Sequence, residues 1–290
     1  MNKSMRENQS KYVLLVILSV CFLATGGILV KMSKLPPINT GLYRVLFSIP
    51  MLLPFVWNKL KGIHMKDYLI MFLAGMFLAG DLALWNLSFG LTTVANANLL
   101  ANFTPFTVIP ISYFVFKEKI PKHFLGGAIL TFVGVLVLML GKVQPSISTF
   151  FGDLLALSTS LFYAAFILTV YRLRDRIDSM IIMFVSAFGS AFVLLIVISF
   201  TEGICVPNSG TELLPLFGLA LMSQIMGQGL LAYCLGKVNA TLSSIICLTQ
   251  PVIASVYAFI LFSETLSFVE IVGMLICILG VYLAKKNYNN

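Results

Sequence analysis

The sequence predicts an all-α integral membrane protein of ten transmembrane helices arranged as two inverted five-helix repeats. Three observations carry this: apolar stretches of bilayer length recur along almost the whole chain, basic residues gather on alternate loops, and the second half echoes the first at a fixed offset.

Residues of the set AVILMFWYC fill 59% of 290 positions, charged residues only 10%, and the mean hydropathy is +0.98. A water-soluble domain has no core large enough to hide so much apolar surface. A helix of ~20 residues, rising 1.5 Å per residue, crosses a hydrocarbon core of ~30 Å. The spans read as 12–33, 38–57, 67–89, 92–116 and 123–141, followed by 152–171, 179–200, 212–235, 239–262 and 268–284. Helices are favoured over a barrel because no strand-length alternation of polar and apolar residues appears. In the first span Gly26-Gly27-Ile28-Leu29-Val30-Lys31 continues where a signal peptide would show its cleavage site, so this span is expected to be a mature helix.

The net charge is +8, and its distribution sets topology. With the amino terminus inside, the inner segments hold Lys3, Arg6, Lys11, Lys59, Lys61, Lys66, Lys117, Lys119, Lys122, Arg172, Arg174, Arg176, Lys237, Lys285 and Lys286. Outer loops hold only Lys34 and Lys142, and Lys31 and Arg44 fall within spans. The positive-inside rule therefore puts both termini in the cytoplasm of an inner-membrane protein and requires an even number of crossings. Basic residues placed this way orient helices against lipid and give no nucleic-acid surface. Of five cysteines, Cys21, Cys234, Cys247 and Cys277 lie in spans and Cys205 in an outer loop, a spacing that offers neither a disulfide framework nor a metal site.

A shift of 146 positions aligns Gly90 with Gly236, Pro105 with Pro251, Phe116 with Phe262, Glu118 with Glu264, Gly127 with Gly273, Gly134 with Gly280 and Val135 with Val281. A weaker echo at 140 pairs Phe22 with Phe162 and Ala24 with Ala164. The chain divides into a first repeat, 1–146, and a second, 147–290, within one membrane domain. Five crossings per repeat invert the second copy, a recurrent transporter construction in which the halves exchange conformations.

The run Ser88-Phe89-Gly90-Leu91-Thr92-Thr93-Val94-Ala95-Asn96-Ala97-Asn98, with Pro105 and Phe116-Lys117-Glu118-Lys119-Ile120, resembles the EamA family of the drug/metabolite transporter superfamily. Gln250-Pro251 and Phe262-Ser263-Glu264-Thr265-Leu266 repeat it, and the resemblance extends over about 12–284. It implies ten helices, a central cavity and secondary transport of amino acids, nucleobases or related metabolites, without a cofactor, and the expected direction is export. Where many relatives have a tryptophan in the first span, this chain has Phe22-Leu23-Ala24; Tyr163-Ala164 in the sixth span keeps an aromatic and small pair.

Polar residues inside spans are the candidate substrate contacts. An intramembrane acid costs roughly 2.5–3.5 kcal/mol on the insertion scale, so Asp81 should face water or a partner. Helix rise places Asp81 ~12 Å below the outer surface and Arg44 ~9 Å below it, so they can either pair structurally or line a cavity. Trp85 and Ser88 share the Asp81 face, where the ring can pack or stack on substrate. Asn98, Asn102 and Pro105 share a face of the fourth span, and Pro105 and Pro251 are expected to kink their spans. Gln224 and Gln228, a turn apart in the eighth span, serve either as interhelical glue or as substrate contacts. Glu118 and Glu264 mark opposite ends of repeat-related spans, a place for a gate or a solvated helix end. Glycines at 126, 127, 134, 273 and 280 suit close helix packing.

The rivals are an uptake permease for a cationic or zwitterionic metabolite and, from another class, an intramembrane enzyme. Leu78 replaces the first glycine of a G-x-G-D motif before Asp81, and no H-E-x-x-H, G-x-S-x-G or Walker loop occurs. The expected partners are a small-molecule substrate, lipid and a coupled proton or other ion, with the oligomeric state open. For topology, an impermeant thiol reagent on intact cells should label a cysteine placed at Ser209 and spare one placed at Arg174. The opposite pattern would overturn the orientation.

Overall fold

The computed structural model describes residues 3–88, 90–92, 94–118, 120–141, 150–207, 209–263 and 265–288. Glu264, Lys119, Lys142 and the boundary expected between the halves at 146 lie outside the described residues. Among those described, every regular element is helical: α1 (Lys3–Met32), α2 (Pro37–Val56), α3 (Met65–Ser88), α4 (Val94–Ala101), α5 (Thr104–Phe114), α6 (Lys122–Leu140) and α7 (Phe150–Leu173). Then follow α8 (Ser179–Phe200), α9 (Gly210–Gly218), a π-helical segment Leu219–Gly229, α10 (Leu230–Leu235), α11 (Ala240–Cys247), α12 (Gln250–Phe262) and α13 (Phe268–Tyr288). Among the described residues eight stretches are long and apolar enough to cross a membrane, and Phe124–Leu140 is a shorter apolar helix.

Three helix starts, those of α2, α8 and α13, are capped by side chains. Pro37 occupies the first turn of α2, where a missing N–H costs nothing. The next two N–H groups, of Ile38 and Asn39, donate to the Glu202 carboxylate at 3.2 and 3.0 Å. The fully buried Asn39 side chain also donates to the Gly203 carbonyl and accepts from the Cys205 N–H, tying the loop after α8 onto α2. Ser267 and Glu270 form a reciprocal capping box at the start of α13, and Asp178 caps α8 by accepting from the Met180 N–H at 2.8 Å.

At both expected proline kinks the α-helical hydrogen bonding is interrupted, while Phe103, Leu248 and Thr249 keep right-handed helical backbone angles. The fourth span divides into α4 and α5, with Pro105 in the first turn of α5, and the ninth into α11 and α12, with Pro251 in the first turn of α12. Thr104 Oγ1 donates at 3.0 Å to Ala101 O, the carbonyl that Pro105 leaves without its N–H partner, and Thr249 Oγ1 donates at 2.7 Å to Ile246 O, which also accepts from the Thr249 N–H. A threonine or glutamine just before proline thus starts a new helix, whereas a proline further inside, such as Pro110 in α5, leaves the helix intact. The eighth span, expected as one α-helix, widens into the π-helical segment between α9 and α10.

Helix boundaries obey the 146-residue shift. Helices α4 and α11 begin at 94 and 240 and end at 101 and 247; α5 and α12 begin at 104 and 250; α6 and α13 begin at 122 and 268. Helices α6 and α13 meet backbone to backbone: a side chain at Gly127 would strike Ala284, one at Gly134 Cys277, one at Gly273 Leu138 and one at Gly280 Thr131. Partner numbers fall as α6 numbers rise, so the helices run antiparallel. The contacts exchange under the same shift, 127 with 284 becoming 273 with 138, and 134 with 277 becoming 280 with 131.

Two ends of the bundle follow from the loops. At the α1–α2 end, loop 33–36 and loop 201–207 lie over the start of α2. At the other end Arg176 pairs with Asp67 at 2.6 Å, Lys59 with Asp178 at 3.9 Å, and the Arg174 guanidinium sits over the Tyr233 ring. Gly134→Leu should lower the detergent melting point sharply, an overpacking cost of about 1–3 kcal/mol or more. Gly126→Leu, with open space around it, should change stability by less than about 0.5 kcal/mol. Equal melting points for the two variants would contradict the close α6–α13 contact.

Candidate functional site

A cavity of about 1010 Å³ runs from the α1–α2 end into the middle of the bundle. Its upper wall includes Lys31, Pro37, Thr40 and Thr92; its depth includes Arg44, Asp81, Tyr163, Gln228 and Cys247. Among the described residues none from the loops at the opposite end lines it. Both helix breaks border it, through Ala101, Asn102 and Thr104 on one side and Cys247, Leu248 and Gln250 on the other. Irregular backbone at membrane depth is tolerated where it lines such a cavity.

Arg44, in the middle of α2, is half-buried and uses its Nε–H to donate to Gln224 Oε1 at 2.9 Å. Asp81 of α3 is its electrostatic neighbour, as is Tyr163 of α7. Among the described residues no Arg44–Asp81 contact reaches the 4.0 Å of an ion pair. Neither the two Nη groups of Arg44 nor the carboxylate oxygens of Asp81 have a protein hydrogen-bond partner among the described residues. They are also absent from the polar atoms buried without one. Both groups therefore present surface to the cavity they line. An unpaired guanidinium fork and an unpaired carboxylate form two opposite poles, the first suited to a carboxylate and the second to an ammonium group.

The remaining polar side chains frame these poles. Trp85 Nε1 donates to Asn98 Oδ1 at 3.3 Å, tying α3 to α4, and Asn102 Nδ2 donates to the Asn98 carbonyl at 2.6 Å. The Tyr163 hydroxyl and the Gln228 amide stand 3.4 Å apart. Trp85, Asn98, Asn102, Tyr163, Gln228, Pro105 and Pro251 all border the cavity. Gln224 does not: it is 1% exposed and sits behind Arg44. Ser88 is buried and donates to the Trp85 carbonyl. Glu118 is far from the cavity wall, where its Oε2 accepts from Thr241 Oγ1 at 2.9 Å in the first turn of α11.

The sequence reading passed over several wall residues. Lys31 lines the cavity mouth with its ammonium 4.6 Å from the Phe262 ring centre, and its signal was a cation inside an apolar span. Thr40, Asn86, Ser223 and Ser244 also line the wall and carry no distinguishing pattern, since hydroxyls inside helices commonly bond back to their own backbone. No group of three His, Cys, Asp or Glu side chains able to hold a metal occurs among the described residues.

The family model for the EamA-like transporter family matches residues 10–140 and again residues 150–285. The chain belongs to the EamA-like transporter family. An uncharacterized transporter of Archaeoglobus fulgidus is 27% identical over 286 residues, covering 94% of this chain and 97% of that protein. An uncharacterized transporter of Bacillus subtilis is 26% identical, covering 85% and 77%. A probable amino-acid metabolite efflux pump of Salmonella typhimurium is 24% identical, covering 64% and 66%. A solved crystal structure shares the fold with a TM-score of 0.82 at 15% identity, covering 96% and 97%.

The EamA-like chain is thus a multi-pass membrane transporter whose polar cavity holds charges of both signs. Because Gln224, and not Asp81, holds Arg44, Asp81→Asn should leave expression and the melting point of the transporter near wild type. Loss of folded protein in that variant, restored by adding Arg44→Gln, would instead make the pair structural.

Proposed function

We infer that this protein is a ten-helix secondary transporter that moves a small zwitterionic metabolite of the amino-acid type across the inner membrane by alternating access, in the direction of export. The observation that carries the substrate class is the pair of unpaired poles in one cavity, Arg44 for a carboxylate and Asp81 for an ammonium group. The name of the Salmonella typhimurium relative agrees with this class. The ten-helix count joins α4 with α5, α9 with the π-helical segment and α10, and α11 with α12. The inverted repeat is supported by the shared helix boundaries, the exchanging α6–α13 contacts and the two tandem family matches.

With the termini in the cytoplasm, the cavity opens outward, and the opposite end, with Glu118 on Thr241 and Arg174 over Tyr233, is the closed cytoplasmic side. Glu118 and its repeat mate Glu264 are then gate residues of the two states, and the breaks before Pro105 and Pro251 are where each gate bends. Asp81, facing water in one state and enclosed in the other, is the coupling site for a proton, and the reaction needs no chemical step on the substrate.

Counterflow of labelled neutral L-amino acids into proteoliposomes tests the reading. Saturable entry is expected, abolished by Arg44→Gln. An amine lacking the carboxylate and an acid lacking the amine should each compete at least tenfold less well, about 1.4 kcal/mol per decade. Equal competition by all three would overturn the two-pole assignment.

A further inference from the structure

The side chain that decides what Arg44 can bind stands outside the cavity. Gln224 lies within the π-helical segment, where i→i+5 hydrogen bonding widens the turn, a feature frequent at functional sites. This segment grips both neighbours of the cavity through its two amides, Gln224 reaching Arg44 on α2 and Gln228 reaching Tyr163 on α7. The orientation of the Gln224 amide is fixed by chemistry: Arg44 Nε–H is a donor, so only the oxygen can face it. The Nε2 group then points away, buried and with no hydrogen-bond partner among the described residues.

An amide holds a guanidinium without discharging it. Bonding through Nε leaves the two Nη groups as a planar fork directed at the cavity, the geometry that takes a carboxylate by two parallel hydrogen bonds. A glutamate at the same place would make the same bond and neutralise the positive pole. A glutamine with one unsatisfied buried group therefore serves the cavity better than a fully satisfied ion pair would.

We propose that Gln224 is a positioning residue, which aims the Arg44 fork into the cavity while preserving its charge and so sets the transporter's preference for a substrate carboxylate. The proposal rests on the zwitterion reading above.

The test is calorimetric titration of the purified full-length transporter with neutral L-amino acids and with the carboxamide of each. Wild type should prefer the acid form at least tenfold. Gln224→Glu should keep the unliganded melting point, because the carboxylate accepts the same Nε–H, yet bring the acid-to-amide preference down toward one. Gln224→Met, which removes both amide atoms at similar length, should fold and also lose most of the preference. A Gln224→Glu variant with the wild-type preference overturns the proposal. So does loss of folding in both variants, which would make Gln224 a structural residue. A wild-type protein without any acid-to-amide preference overturns the zwitterion reading itself, and is recognised from wild type alone.

Discussion

Hydrocarbon offers no hydrogen bonds, and the architecture depends on that constraint. A backbone break in lipid would strand several polar groups at a few kcal/mol each. Here the breaks between α4 and α5 and between α11 and α12 both face the interior cavity, with the Thr104 hydroxyl taking the carbonyl that Pro105 releases. The breaks and the cavity explain one another. Polar space makes interrupted backbone affordable, and interrupted backbone supplies polar groups and points of bending. The glycine-lined contact of α6 with α13 closes the bundle beside them by letting two backbones touch.

The same constraint governs charge. An arginine and an aspartate at membrane depth gain most when they pair, yet Arg44 is held by an amide of the π-helical segment and Asp81 is left as its electrostatic neighbour. The fold has kept the two charges apart where fusing them would stabilise it more simply. On the zwitterion reading proposed above, capture of a dipolar solute needs both charges available. The surroundings serve that need, with Trp85 and Asn98 bridging α3 and α4 and Tyr163 with Gln228 bridging α7 and the π-helical segment. Lys31 lines the mouth beside the Phe262 ring.

Much of the fold was legible in the sequence because hydropathy is a one-dimensional property, as span length and loop charge are. Pro105 and Pro251 announced that the fourth and ninth spans are irregular. Whether a freed carbonyl finds a partner is a matter of side-chain geometry, as with the Thr104 hydroxyl on Ala101 O. The π-helical segment, in which Ser223, Gln224 and Gln228 interrupt the apolar residues, was not recognisable from their spacing. At the site, the position of Arg44 and Asp81 along their helices was readable, but which side chains turn toward the cavity was not. Gln224, grouped with Gln228 by spacing, turned out to stand behind Arg44, while Gln228 lines the cavity. Glu118 lies in the loop between α5 and α6, and its Thr241 partner on α11 was not readable from the sequence.

The claim beneath all of this is that the broken helices border water and not sealed protein or lipid. Reaction of a single cysteine at Asn102 with a small aqueous thiol reagent, in membranes and in an otherwise cysteine-free chain, tests it most directly. Asn102 lines the cavity beside the α4–α5 break, and Leu261, on the outer surface of α12 and 61% exposed, provides the lipid-facing comparison. The account predicts rapid modification at 102, slowed by an amino-acid substrate, and little modification at 261. A cysteine at 102 as inert as one at 261, with or without substrate, would contradict it.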